Sequence, residues 1–394
     1  MKLKQQPEDF HVEELIDVVP SSVGAFSLYR LEKQGWTTPD AVAVVCRRWH
    51  IDRRRVSFGG LKDRHAGTVQ HLSIFRGPER NLTHQRLKLT YLGKMDEPFT
   101  SAFIRANRFR LTVRALTAAQ LSEAVHALQE VQVDGLPNYF DDQRFGSVGP
   151  KGEFMARPLL AGEYEEALQK ALLTPYEFDR ARQKKDKAIL REHWGDWAQC
   201  PQLDSRSPAR RPVDYLVRHS GDFKGALACL PADLRGLHLS AYQSHLWNRM
   251  LARWLRTHLE QRFLLSVHLC LGDVPMYCGL PQPLRKELAL LQLPLPSGRI
   301  DLDPADPRLQ VLDAILKEEG LQQEQLKLKG FKEMFFSRGD RAAIFMPAQV
   351  GHEDAPDELN SGRHKFVLAF ELPRGAYATL LVKRITAGFA NLER

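Results

Sequence analysis

Phe366-Val367-Leu368-Ala369-Phe370-Glu371-Leu372, closed by Pro373-Arg374-Gly375, is the stretch whose reading decides the fold. It reads as a strand ended by a turn, and Tyr377 to Ile385 continues in the same strand character. Upstream of it, from about residue 155 to 340, the chain is mostly helical and more charged. Residues 1 to about 150 again mix strand and helix. A strand-rich end that follows a helical middle and a mixed start predicts one domain interrupted by another, with the last strands rejoining the first sheet. The fold class is therefore α+β, and the expected segments are 1–154, 155–340 and 341–394.

Local patterns fill in this frame. Phe10, Val12 and Leu15 lie in an extended stretch, and Phe26 to Leu31 alternates like a half-buried strand. Val69 to Phe75, Leu87 to Leu92 and Phe109 to Val113 are further strands. Thr38-Pro39 predicts a helix start with Thr38 as N-cap, leading into Ala41 to Cys46. Thr117 with Gln120 predicts a capping box on a helix running to Val131, with Leu121, Val125 and Leu128 on one face. Leu239, Tyr242, Leu246, Met250 and Trp254 recur at helical spacing and read as core.

Composition bounds the class. The 394 residues are 43% hydrophobic and 26% charged, ordinary values for a globular protein of two domains. Lys and Arg outnumber the acids by 56 to 48, a net +8 that favours a polyanion partner. Five scattered cysteines without a C-x-x-C pair argue against a disulfide framework or structural zinc and fit a reducing cytoplasm. The start has no apolar signal region, and no run reaches the ~18 apolar residues of a membrane span. The expectation is a cytoplasmic protein with no membrane contact.

Two runs carry the chemistry. Gly59-Gly60-Leu61-Lys62-Asp63-Arg64-His65-Ala66-Gly67-Thr68-Val69-Gln70 sets one carboxylate between cations after two glycines. Glycines permit tight turns and close approach, and flanking cations favour ionised Asp63. The run suits either a site acting on a polyanion or a solvated turn. Asn138-Tyr139-Phe140-Asp141-Asp142-Gln143-Arg144-Phe145-Gly146 interleaves aromatics with amide, acid and cation. It suits either a base-stacking surface or a turn with core phenylalanines. Asp63, His65 and His71 could bind zinc or manganese, but no H-E-x-x-H or carboxylate cluster accompanies them. No P-loop, dinucleotide fingerprint or serine elbow is present.

Taken in order, these runs resemble the TruD family of tRNA pseudouridine synthases. The matching pieces are Pro7 to Glu14, Glu32-Lys33 with Thr37-Thr38, Gly60 to Ala66 with Thr68 and Gln70, and Asn107-Arg108-Phe109. They continue with Asn138-Tyr139-Phe140, Gln143 to Gly146, Ser240 to Asn248 and Phe370 to Thr379. The chain departs from the family pattern at Ala106 and Asp141, where the family usually has glycine.

The resemblance implies a V-shaped molecule whose pseudouridine-synthase mixed-sheet domain is interrupted by a mostly helical TruD-specific insertion. It implies conversion of uridine to pseudouridine in tRNA, at uridine 13, without cofactor or metal; a monomer is the simpler expectation, with the oligomeric state open. Asp63 matches the family's catalytic aspartate and would act on a flipped nucleotide. Lys33 matches a lysine beside it that would keep Asp63 ionised. Phe140 would stack on the detached uracil, Asn138 would position the substrate or the catalytic loop, and Phe370 would wall the pocket or serve as core. The basic run 180–187 and Arg374 are candidates for tRNA backbone contacts. A non-catalytic tRNA-binding or remodelling protein and a metal-dependent phosphoesterase are the competing readings.

Overall fold

The computed structural model describes residues 1–392 apart from 65, 177–178, 201–202, 329 and 332–333, with residue 391 described by its backbone. The chain forms two compact units. The first joins Met1–Leu136 to Phe345–Arg394, and the second is Pro137–Ile344.

The first unit is built on one mixed sheet. Its main strands are β1 (Phe10–Ile16), β2 (Phe26–Lys33), β3 (Gly67–Phe75), β4 (Leu87–Met95), β5 (Ile104–Leu116), β6 (Ala348–Pro356) and β7 (His364–Pro373). They lie in the order β6-β7-β5-β1-β3-β2-β4, with short strands Lys2–Leu3, Val56–Phe58 and Leu82–His84 added at β5, β3 and β4. Only β1 and β3 are parallel among these pairs; β7 runs antiparallel to β5, so the end of the chain does rejoin the first sheet. Residues facing each other across neighbouring strands share a face. One such row is Phe370–Phe109–Val12–Thr68–Lys33.

Helix α1 (Thr38–Trp49) covers that sheet, burying Ala41, Val42, Val44 and Val45 against Tyr29, Leu31, Leu72 and Leu89. Its N-cap is Thr37, whose hydroxyl accepts the Asp40 N–H, which places Pro39 at the second helical position and corrects the expected Thr38 cap by one residue. Helix α2 (Ala118–Asp134) starts with the expected Thr117–Gln120 capping box. Its buried face is Gln120, Ala124, Ala127, Leu128 and Val131, one step round from the expected stripe. Residues Ala378–Ile385, expected as strand, form a helix that buries Leu380, Leu381 and Ile385. Its Arg384 reaches Glu130 of α2 at 2.7 Å. A short apolar run of this kind fits either period, and packing against α2 selects the helix.

The second unit is mainly helical. A 27-residue helix, Ala232–His258, runs through it. Leu239, Tyr242, Leu246, Met250 and Trp254 are all buried on it. Two-stranded ribbons, among them Leu264–Leu269 with Gly272–Tyr277, complete the unit. The basic run lies at the start of a helix, Ala181–Glu192. Its Lys187 turns inward, 2.6 Å from Asp179 and from the Thr174 carbonyl. No helix among the described residues is long and apolar enough to cross a membrane.

Candidate active site

The loop carrying Asp63 enters β3 at Gly67 and is held from both ends of its backbone. Gly59 packs closely, since a Cβ there would lie 2.6 Å from the Ile104 Cδ1 methyl, which would have to turn aside, and 3.1 Å from Ser101 Cα. Gly60 has open space instead. Its carbonyl accepts from Gln70 Nε2 at 3.4 Å. Thr38, at the first turn of α1, donates its hydroxyl to Gln70 at 2.8 Å and accepts the Lys62 N–H at 3.0 Å. Arg64 and Gly35 bond to each other through the backbone at 3.1 Å.

Lys33 stands at the end of β2 with 2% of its surface exposed. Its ammonium donates to the carbonyls of Trp36, Lys62 and Asp63 at 2.9, 3.3 and 3.1 Å. The predicted lysine is thus beside the aspartate but bonded to its backbone. Burial pushes its pKa down to about 8, against the raising influence of Asp63 and with a further lowering by Lys62.

Lys4 is a cation on the Asp63 carboxylate, 2.7 Å from Oδ2, with both side chains about one-third exposed. The same ammonium sits 4.3 Å above the Phe10 ring. Phe10 meets Phe109 edge-on at 6.3 Å, and Phe109 stacks on Phe370 at 5.5 Å. A continuous path of contacts therefore runs from the carboxylate to Phe370. Phe370 itself is 1% exposed and lies behind Phe109.

Lys62, adjacent to the aspartate, is also engaged. Its ammonium lies 2.9 Å from Glu14 Oε1 and donates to Asn107 Oδ1 at 3.0 Å. Glu14 and Asn107 face each other across β1 and β5. Burial pushes the Glu14 carboxyl up, but the His71 hydrogen bonds and the Lys62 charge outweigh it and hold the acid below its ordinary value.

Asn138 and Phe140 lie in the second unit. Asn138 is bound locally: its N–H and side-chain amide donate to the carbonyls of Ala343 and Ala342, and Arg341 donates to its Oδ1 at 2.6 Å and its carbonyl at 2.9 Å. Phe140 is buried, with the Arg341 guanidinium 4.1 Å over its ring and Trp247 edge-on at 5.6 Å. Asn248 brackets the Phe140 backbone, accepting from its N–H and donating to its carbonyl, both at 2.8 Å. The structure thus joins Lys33 and Asp63 on one unit and Asn138 with Phe140 on the other.

Sequence reasoning missed Lys4 and Arg341, which lie outside every matched run, and gave no role to Glu14, Asn107 and Asn248 inside those runs. His65, weighed as a metal ligand, lies outside the described residues. No group of three or more His, Cys, Asp or Glu among the described residues is arranged to hold a metal ion.

Residues 1–271 and 280–385 match the family described as tRNA pseudouridine synthase D (TruD). The chain belongs to the TruD family. A TruD relative from Methanococcus maripaludis, named "Probable tRNA pseudouridine synthase D 1", is 32% identical, over 98% of this chain and 99% of its own. A second, tRNA pseudouridine synthase D of Aquifex aeolicus, is 28% identical over 98% of both chains. A crystal structure from Methanosarcina mazei, named "Putative tRNA pseudouridine synthase D (TruD)", shares the fold, with a TM-score of 0.71 over 98% of this chain and 93% of that one at 24% identity.

Proposed function

We propose that this TruD-family chain is a tRNA pseudouridine synthase acting at uridine 13, with Asp63 as its catalytic residue. The observation that carries the proposal is the Asp63 carboxylate, paired with Lys4 at 2.7 Å on a loop whose backbone is bonded on both sides. An ionised acid held in this way can reach a nucleotide that has left its stack. The reaction breaks the N1–C1′ bond, rotates the uracil and joins C5 to C1′; the C5 proton is released and N1 regains one. Asp63 serves it as nucleophile or as the base that takes a proton.

Lys4 keeps the carboxylate charged, and Lys33 fixes the backbone at residues 62 and 63. Phe370 supports Phe109 from behind. On the second unit, Phe140 is proposed as a stacking partner for a base of the RNA that displaces the Arg341 guanidinium now 4.1 Å over its ring. Asn138 is proposed to hold that segment together with Arg341.

Unmodified tRNA incubated with the protein, followed by single-nucleotide mapping of pseudouridine, tests the reading. Wild type is expected to convert uridine 13, and Asp63→Asn to lose at least about 100-fold in rate while still binding tRNA. Conversion by Asp63→Asn at the wild-type rate removes the aspartate from the mechanism. Binding without conversion by wild type selects the tRNA-remodelling alternative.

A further inference from the structure

We infer that Glu14 is a positioning residue for Asp63, acting through Lys62. The inference rests on the synthase reading for its consequence in turnover, but not for its geometry. Glu14 has a fully buried side chain on the second half of β1. One oxygen accepts the His71 N–H at 2.8 Å; the other faces the Lys62 ammonium at 2.9 Å and, among the described residues, takes no hydrogen bond beyond that ion pair. An ionised acid in the interior needs charged or hydrogen-bonding partners; His71 serves one oxygen, with its N–H at 2.8 Å and its ring Nδ1 at 3.8 Å, and Lys62 is the cation facing the other.

The pair fixes the loop in a specific way. The Lys62 N–H is bonded to Thr38, its carbonyl to Lys33, and its side chain to Glu14 and Asn107. Residue 62 is therefore anchored in the backbone and at the tip of its side chain. Asp63 follows it directly and projects a carboxylate that is one-third exposed. Glutamine at position 14 keeps the shape and the capacity to accept from His71. It removes the charge facing Lys62, so that a partly buried ammonium loses its buried counter-ion and the anchor at residue 62 weakens.

The test compares wild type, Glu14→Gln, Lys62→Met and the double variant by single-turnover rate on tRNA, tRNA affinity and amide hydrogen exchange. Glu14→Gln is expected to slow the single-turnover step by about tenfold or more with affinity unchanged. The Lys62 amide should exchange faster while amides of β7 stay as protected as in wild type. The double variant should be no slower than Lys62→Met, because the acid works through the lysine. Wild-type rate and Lys62 exchange in Glu14→Gln, or independent penalties that multiply in the double variant, overturn the inference. If Glu14→Gln fails to fold, Glu14→Asp carries the same comparison, with faster Lys62 exchange expected from its shorter arm and wild-type exchange overturning it. A wild-type protein that makes no pseudouridine sinks the synthase reading alone, since the exchange measurement still decides whether Glu14 holds the loop.

Discussion

Two lysines near Asp63 do different physical work, and each yields a prediction. The Lys4–Asp63 pair is partly exposed, so it contributes only about 0–1 kcal/mol to folding. Lys4→Met is therefore predicted to leave the melting temperature nearly unchanged and to slow turnover by roughly tenfold, a barrier change of about 1.4 kcal/mol. An equal loss of melting temperature and rate would contradict it. Lys33 is the buried one, with a folded pKa near 8 against an ordinary 10.5. As pH rises through 8 the ammonium loses a proton and its hold on the two loop carbonyls weakens, so activity is predicted to fall. Stability moves the other way. The unfolded lysine binds more protons than the folded one between pH 8 and 10.5, so this group makes the fold more stable across that window. Rate and thermal midpoint measured from pH 7 to 10 should diverge, and Lys33→Met should flatten the alkaline limb of the rate. The neighbours Lys62 and Arg64 were legible as a basic frame, but spacing alone could not show that Lys62 faces Glu14 or that Lys4 reaches the carboxylate.

Among elements, the junction of β5 with the segment after β6 is held by buried Arg114. It lies 2.9 Å from both Asp9 and Asp357 and 3.0 Å from Glu358. Arg114→Met would leave buried acids facing one another, a loss of about 3–5 kcal/mol, visible as a lower denaturant midpoint. Burial alone would raise the Asp357 pKa, but N–H donors from Ala115, Leu359, Asn360 and Arg114 bring it to about 2. This acid therefore stabilises the fold above pH 3.8, and its contribution disappears as pH falls through 2. Asp357→Asn should remove that part of the acid transition; an unchanged acid midpoint would contradict the assignment. Elements with a clear period were legible: the strands at 26–31 and 69–75, the capped α2 and the long apolar-striped helix. Ala378–Ile385 was not, because eight residues with three consecutive apolar positions, Leu380 to Val382, suit either period until α2 supplies the surface it packs on. The Arg114 cluster was equally hidden, since it joins residues from three distant parts of the chain.

At the scale of the whole molecule, the first unit is discontinuous and its sheet closes only when β7 meets β5. The ends of the second unit lie together, with the Asn138 N–H 2.8 Å from the Ala343 carbonyl. Replacing Pro137–Ile344 by a short glycine-serine linker is thus predicted to leave a first unit that unfolds cooperatively; a broad, non-cooperative melt would count against it. The same adjacency bears on how the chain is made. During synthesis β5 emerges long before β7 and waits with an open edge able to pair with other chains. Joining the two strands across an unfolded insert carries a closure entropy that grows as about (3/2)RT ln n. Once the insert has folded, its ends act as a short bridge, and the effective loop shrinks to the flanking segments 117–136 and 345–363. Ribosomal order, insert first and last strand afterwards, therefore completes the sheet by its shortest route, and the neighbour that closes β5 is among the last parts of the chain to arrive.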